Sequence, residues 1–365
     1  MVTLGKLRAG RLAAAWAALA VGAWAPAARA AAPVATIKVG FCSSSLTSGA
    51  APFAIGTKFG WFAQEGLAVD MVPVPGSGDC VRNVATRELN YSLPSVEPLA
   101  IARAQGMRAK IYYTAYQGNI YSLAVPADSP IRKISDLKGK TIGVTAMSSG
   151  GVLMARAEAA TGGLDPERDI TIVVAGEAAK VAALVRNKQV DALSLFDTQY
   201  ALVENAGIAI RQLENQGVSR YPSNGFLALE DTLKGRRQEA VGLGRGYAKG
   251  TVFALANPEA AVRILYEVYP QTRPTGKDEA TAIRDDTKVL LARSDKWTLE
   301  KWGIKRWGEN SVANYAAYVD FMLKWGIIKQ KVEASDLVTN ELIDEINQFD
   351  ANAIAAQAKA YKPSR

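Results

Sequence analysis

From Ile37 onward, short apolar and β-branched runs alternate with longer amphipathic stretches, the pattern of strands separated by helices. Runs at 37–41 (IKVGF), 67–74 (LAVDMVPV), 91–93 (YSL) and 110–116 (KIYYTAY) predict strands. Helices are expected between them at about 52–63, 79–88 and 97–105, each opened by a loop containing Ser, Asp or Gly, or by a proline. A second series follows, with strands at 141–144, 170–174 and 190–196 and helices at about 150–162 and 177–188, the first of these stopped by Gly162-Gly163. Each series reads as a parallel sheet with helices on both faces, so the fold class is α/β and the chain holds two such units.

Two further apolar segments, NIYSLAVPADSP (119–130) and YPSNGFLALE (221–230), are marked by prolines and turn residues and read as crossings between the units. Beyond Asp231 the periodicity is helical: Asn257-Pro258-Glu259 forms a cap with proline at the first helical position, and Ser311 opens SVANYAAYVDFMLKWG before a glycine stop. Trp61 reads as an anchor ending its helix, and Trp297, Trp302 and Trp307, spaced by five, read as packing anchors.

The N-terminus has the form of a secretory signal. Lys6, Arg8 and Arg11 precede an apolar stretch of 14 residues from Leu12 to Ala25, and Ala28-Arg29-Ala30 supplies a small-residue cleavage site. That stretch is short of the roughly 20 residues needed to span a bilayer. The first cysteine, Cys42, comes twelve residues past the expected cut, too late for a lipid anchor. The chain is therefore expected in the periplasm, neither membrane-spanning nor a lipoprotein. Loss of residues 1–30 removes four basic residues and no acid, lowering the formal charge from +8 to +4. With no long Lys/Arg run, nucleic acid is a poor candidate partner.

Composition narrows the chemistry further. The chain has no histidine, which excludes Ser-His-Asp and Cys-His catalysis and HExxH sites. Two cysteines cannot build an all-cysteine zinc site or an iron–sulfur cluster, so no metal or cofactor is expected. Gly139-Lys140-Thr141 lacks the earlier glycine of a phosphate loop and precedes a strand, and Gly242, Gly244 and Gly246 lie inside a helical stretch with Tyr247 where a dinucleotide fingerprint needs glycine. Neither is a nucleotide site.

What recurs is a polar, small-residue loop at the carboxyl end of a strand, leading into a helix. Ser43, Ser44, Ser45 and Thr47 follow the first strand, Ser77 and Asp79 the second, Ser95 and Glu97 the third, and Thr145 and Ser148 the first strand of the second unit. Open α/β sheets bind ligands in the crevice outside these strand ends, although each loop taken alone also serves as a helix cap. Glu177 and Asp197 stand at further strand ends. Asp79 and Glu177 are open to a capping role. Glu97 and Asp197 have no Lys or Arg beside them in sequence, so either the ligand brings an N–H donor to them or Arg82, Arg103 or Arg220 neutralises them through the fold. Ser44, Thr145 and Ser148 are then the candidates for an acidic or carbonyl end of the ligand.

APFAIGTKFGWFAQEGLAVDMVPVPGSGD (51–79), PADSPIRKISDLKGKTIGV (126–144) and VAALVRNKQVDAL (181–193) together resemble the ABC-importer solute receptors that include the sulfonate, taurine and nitrate receptors and the thiamine-pyrimidine-precursor receptors. Asn187-Lys188 stands where that family usually has glycine. The resemblance runs in order over residues 36–350. It implies a two-lobed periplasmic binding protein fold of type II, with residues 34–118 and 226–365 forming one lobe and 119–225 the other. Two crossover strands near 117–125 and 221–228 would form the hinge, leaving the lobe of the helix over 231–256 open. It also implies a monomer that captures a small organic solute, a sulfonate or an amino-bearing or heterocyclic compound such as a pyrimidine, and delivers it to an inner-membrane ABC permease. Cys42 and Cys80 follow neighbouring strands in such a fold and, in an oxidising compartment, are candidates for a disulfide.

Two other readings remain: a secreted hydrolase or lyase using Glu97 and Asp197 as paired acids, and a sensory binding protein that docks on a receptor. The family's enzymatic relative, a pyrimidine-precursor synthase, depends on a histidine and a cysteine-rich motif that are missing from this sequence. The signal reading has a direct check. Intact mass of the exported protein should correspond to residues 31–365, whereas a retained N-terminus or a diacylglycerol adduct on Cys42 would contradict it.

Overall fold

The computed structural model describes residues 1–3, 35–214 and 217–362. Apart from Met1–Thr3, the expected signal segment lies outside the described residues. The first series forms β1 (Ala35–Phe41), α1 (Ala51–Lys58), β2 (Leu67–Pro73), α2 (Ser77–Ala85), β3 (Tyr91–Ser92), α3 (Val96–Ala104) and β4 (Ala109–Thr114). The second contains β5 (Tyr121–Pro126), β6 (Lys140–Val144), α4 (Gly150–Thr161), β7 (Ile170–Val174), α5 (Ala179–Arg186), β8 (Ala192–Phe196), α6 (Asp197–Asn205) and β9 (Ile210–Gln212). After β10 (Gly225–Leu229) come the helices α7 (Glu230–Gly235), α8 (Arg237–Ala256), α9 (Pro258–Val268), α10 (Glu279–Trp297), α11 (Val312–Lys324), α12 (Ala334–Leu337), α13 (Ile343–Ile346) and α14 (Ala351–Ala360).

Two five-stranded sheets result, ordered β2-β1-β3-β10-β4 and β7-β6-β8-β5-β9. Each is parallel except where β10 or β5 enters antiparallel to its neighbours. Those are the strands that follow each passage between the lobes. The segments expected as crossings thus belong in large part to the sheets, and the described residues of the passages themselves are 115–120, 213–214 and 217–224. They are hydrogen-bonded to each other: Ala115 and Tyr116 donate to the Asn224 carbonyl at 2.9 and 3.0 Å, and Ser223 donates to that of Tyr116 at 3.0 Å.

Burial follows the sequence pattern. In β1 the side chains of Ile37 and Val39 are buried and that of Lys38 is exposed, while β8 is buried throughout, as a strand covered on both faces should be. In the second lobe Leu123 and Val125 join one apolar cluster and Ala124 another, one on each face of the sheet. α8 and α9 pack on α1, and α14 on α8. α8 reaches α1 by means of small residues. A Cβ at Gly250 would stand 2.1 Å from the Pro52 carbonyl oxygen, and within the GxGxG run one at Gly242 would stand 2.7 Å from Glu65 Cβ and one at Gly246 would stand 2.3 Å from the Phe62 ring, so that run is a packing surface. Asn257, Asp278 and Ser311 cap their helices by accepting from Ala260, Thr281 and Asn314.

One expected element is shortened, one element was not expected, and one position is strained. The helix expected over 52–63 ends at Lys58, because Gly60 turns left-handed at φ +67°. β9 lacks an apolar run to announce it. Lys188, in the usual glycine position, holds φ +54°, a conformation that costs a side chain about 1 kcal/mol or more.

Glu158, in α4, is fully buried. Burial pushes its carboxyl up to about 8, with only the backbone of Leu123 opposing. The unfolded chain ionises this group near 4.5 and the folded chain keeps it protonated, so stability falls as pH rises through this window and levels off above about 8. The upper bound is roughly 1.4 kcal/mol per pH unit. Urea midpoints at pH 5 and pH 8 should therefore differ less in Glu158→Gln than in the parent. An equal fall in both would contradict the assignment.

Candidate functional site

The carboxyl ends of both sheets face a common cleft, and most of the residues singled out in the sequence meet there. Ser43 Oγ and the Ser44 backbone N–H donate to Glu177 Oε1 at 2.7 and 2.9 Å, and Ser45 Oγ donates to Oε2 at 2.8 Å. The loop after β1 therefore receives a carboxylate from the opposite lobe. Farther along, Ser148 Oγ donates to Asp79 Oδ2 at 2.6 Å, and the Ser148 carbonyl accepts from the Gly78 N–H at 2.9 Å. Asp79 also pairs with Arg82 within α2, so it is a helix residue that reaches across the cleft.

The remaining acids find protein partners that local sequence did not reveal. Asp197 is the first residue of α6, and Arg293 of α10 holds it, with Nε 2.8 Å from each carboxylate oxygen and Nη2 on Oδ1. The expected neutralisers are engaged elsewhere. Arg82 pairs with Asp79, Arg103 with Glu230 and Asp336, and Arg220 stands over the Tyr221 ring. Arg293 is 3% exposed, and its guanidinium carbon lies 4.0 Å from the centre of the Tyr116 ring. Burial is the largest single influence and works against its charge, but Asp197, with Tyr116 and Tyr247 beside it, holds the guanidinium above its usual value.

Glu97 occupies the first turn of α3 and is sealed from solvent. Burial raises its carboxyl above the usual range. Tyr318 of α11 donates to Oε1 and accepts from Asn119 Nδ2 at 3.2 Å, while its ring stacks on Tyr221 at 4.8 Å. Asn119 and Tyr221 belong one to each passage, so Tyr318 ties both passages to Glu97. Ser77 Oγ accepts from the Ser95 N–H at 3.0 Å, and a Cβ on Gly150 would stand 2.5 Å from Ser95 Oγ. Thr145 is buried at the end of β6. Cys42 and Cys80 are joined by a disulfide with a Cα separation of 6.0 Å, which ties the loop after β1 to α2.

Where the lobes and both passages meet, a cavity of about 30 Å³ is lined by Phe41, Tyr116, Tyr121 and Phe196, with Ser43, Thr47, Thr198, Asn224 and Arg293 supplying polar groups. That is room for one or two water molecules. Of the candidate residues, Ser43 and Thr47 line it and Asp197 holds its arginine. The aromatic walls, Thr198 and Asn224 escaped sequence reading, because aromatic residues in strands and turns look like core. A larger groove of about 820 Å³ runs among α2, α3 and α4 and includes Gly78 and Ser148, so it opens beside the outer contact between the lobes. Its arginines, Arg82, Arg108 and Arg156, already face Asp79, Glu230 and Glu167, so the cavity at the passages is the stronger candidate.

Close approach of the lobes depends on Gly76. A Cβ there would lie 2.4 Å from the Ser148 carbonyl carbon, while the backbone, at φ −166°, accepts any residue. Gly76→Ala should therefore wedge the lobes apart and enlarge the radius of gyration in small-angle scattering, with far-UV circular dichroism unchanged. An unaltered radius would contradict the packing described.

A family model described as NMT1/THI5 like matches residues 47–261. The riboflavin-binding protein RibY of Chloroflexus aurantiacus is 22% identical over 297 residues, covering 80% of this chain and 82% of its own. Among solved structures, the nitrate-binding protein NrtA of Synechocystis superposes with a TM-score of 0.63 at 14% identity, covering 90% of this chain and 99% of its own. The alkanesulfonate-binding protein SsuA of Xanthomonas axonopodis, bound to MOPS, superposes with a TM-score of 0.62 at 17% identity, covering 85% and 99%. These likenesses carry the two-lobed periplasmic binding protein fold, and with more than half of its length matched by the family model, the chain belongs to the NMT1/THI5 like family.

Proposed function

We propose that this protein is the exported solute receptor of an ABC importer, catching a small organic molecule between its lobes and passing it, as a monomer, to an inner-membrane permease. The observation that carries this reading is the aromatic-walled cavity at the junction of both lobes and both passages. At about 30 Å³ it cannot admit even a six-membered ring until the lobes part, so binding and hinge motion are coupled. In this reading 34–118 with 226–365 and 119–225 move as bodies about the two passages. Ser43, Ser44, Ser45, Thr47, Ser77, Ser95, Thr145 and Ser148 lie along the closing surfaces.

The rival enzymatic reading needs two available carboxylates. Asp197 is fully engaged by Arg293, and Glu97 is sealed from solvent with Tyr318 on one of its oxygens, so the two do not form a solvent-accessible pair of acids. RibY and the solute-binding proteins that share the fold also favour binding over turnover.

A thermal-shift screen with flavins, pyrimidines, aromatic acids, amines, sulfonates and nitrate should identify one class that stabilises the protein. A ligand at 100 times its Kd adds about 2.7 kcal/mol, and calorimetry should then give one site per chain with the solute recovered unchanged. Chemical conversion of the stabilising compound, or no stabilisation by any class, would overturn the proposal.

A further inference from the structure

Among the described residues lining the cavity, Arg293 is the only charged side chain. Its Nε and Nη2 are consumed by Asp197, which also cancels its charge. The remaining nitrogen, Nη1, lies on the side of Gly49, 3.9 Å from where a Cβ on that glycine would stand, and Gly49 is itself a wall of the cavity. A neutralised guanidinium held in place by a carboxylate and an aromatic ring offers a directed N–H pair and no net charge. Such a group selects for a lone pair at a fixed position. At the same end of the cleft, the hydroxyl donors of Ser43 and Ser45 are occupied by Glu177, whose negative charge opposes an incoming anion. The other walls, Phe41, Tyr116, Tyr121 and Phe196, are aromatic.

We infer that Arg293 is the specificity-determining residue of the cleft, and that it selects an uncharged planar heteroaromatic solute whose ring carbonyl accepts a hydrogen bond from Nη1. The inference rests on the reading of the cleft as a solute site. It separates this protein from sulfonate and nitrate binders by chemistry, because a fully charged anion would find its donors taken and a carboxylate in its place.

Lumichrome, a flat tricycle with two ring carbonyls, and carbazole, a flat tricycle whose only heteroatom is an N–H, provide the probe pair, with methanesulfonate and nitrate as anions. Calorimetry is run on the parent, on Arg293→Gln/Asp197→Asn, which leaves no unpaired buried charge, and on Arg293→Lys, which keeps the ion pair but loses Nη1. The parent should bind lumichrome at least tenfold more tightly than carbazole, and that preference should fall below threefold in either variant. A merely structural role for Arg293 would weaken both tricycles together and leave the preference intact, which would overturn the inference. Binding of methanesulfonate or nitrate with neither tricycle would overturn it while leaving solute capture standing. Binding of none of the four would count against both.

Discussion

A guanidinium sealed from water must be neutralised, and the carboxylate that neutralises Arg293 comes from the second lobe, at the first residue of α6. Removing one partner of a buried ion pair typically costs roughly 3–5 kcal/mol, because the other is left charged and dry. This pair sets where α10 stands. The helix packs on α9 and the turn at Ser48–Ala50 on one side and on α6 on the other. Asn205 Nδ2 donates to the Asp285 carbonyl at 3.0 Å along the same contact. Tyr116, in the first passage between the lobes, lies under the guanidinium, so the pair, the hinge and the aromatic wall form one connected unit.

The other contacts across the cleft are of a different kind. Glu177 on Ser43–Ser45 and Asp79 on Ser148 exchange partners with water when the lobes separate, and each such hydrogen bond is worth only about 0.5–1.5 kcal/mol net, somewhat more when charged. A closing surface held by contacts that water can replace opens readily. Burial matters more than number: the Asp197–Arg293 contact is dry and strong, whereas those made by Ser44, Ser45 and Ser148 are open to water and weak.

Much of the fold was legible because its signals are local. The strands at 37–41, 67–74 and 170–174 repeat on the sequence the alternation and apolar runs that their sheet positions require. The loops at Ser43, Ser77, Ser95 and Ser148 were legible because strand-to-helix turns in α/β sheets carry small polar residues. What stayed hidden depends on partners far apart in the chain. Nothing near Asp197 points to Arg293, 96 residues later. Nothing near Glu97 points to Tyr318, and of the two carboxylates left open to an N–H-bearing ligand, Asp197 is engaged by Arg293 while Glu97 Oε2 is buried without a hydrogen-bond partner among the described residues. Gly242, Gly244 and Gly246 imitate a nucleotide motif only because close helix packing and close phosphate approach both demand the absence of a Cβ.

The central claim is that the Asp197–Arg293 pair holds the lobes together at the floor of a solute cleft. It is tested most directly by the distance between spin labels at Glu88 in the first lobe and Asp128 in the second, measured by pulsed electron resonance in the parent and in Asp197→Asn. The account predicts that the variant populates longer distances than the parent and that bound solute narrows the parent's distribution. A single distance, unchanged by the substitution and by solute alike, would contradict it.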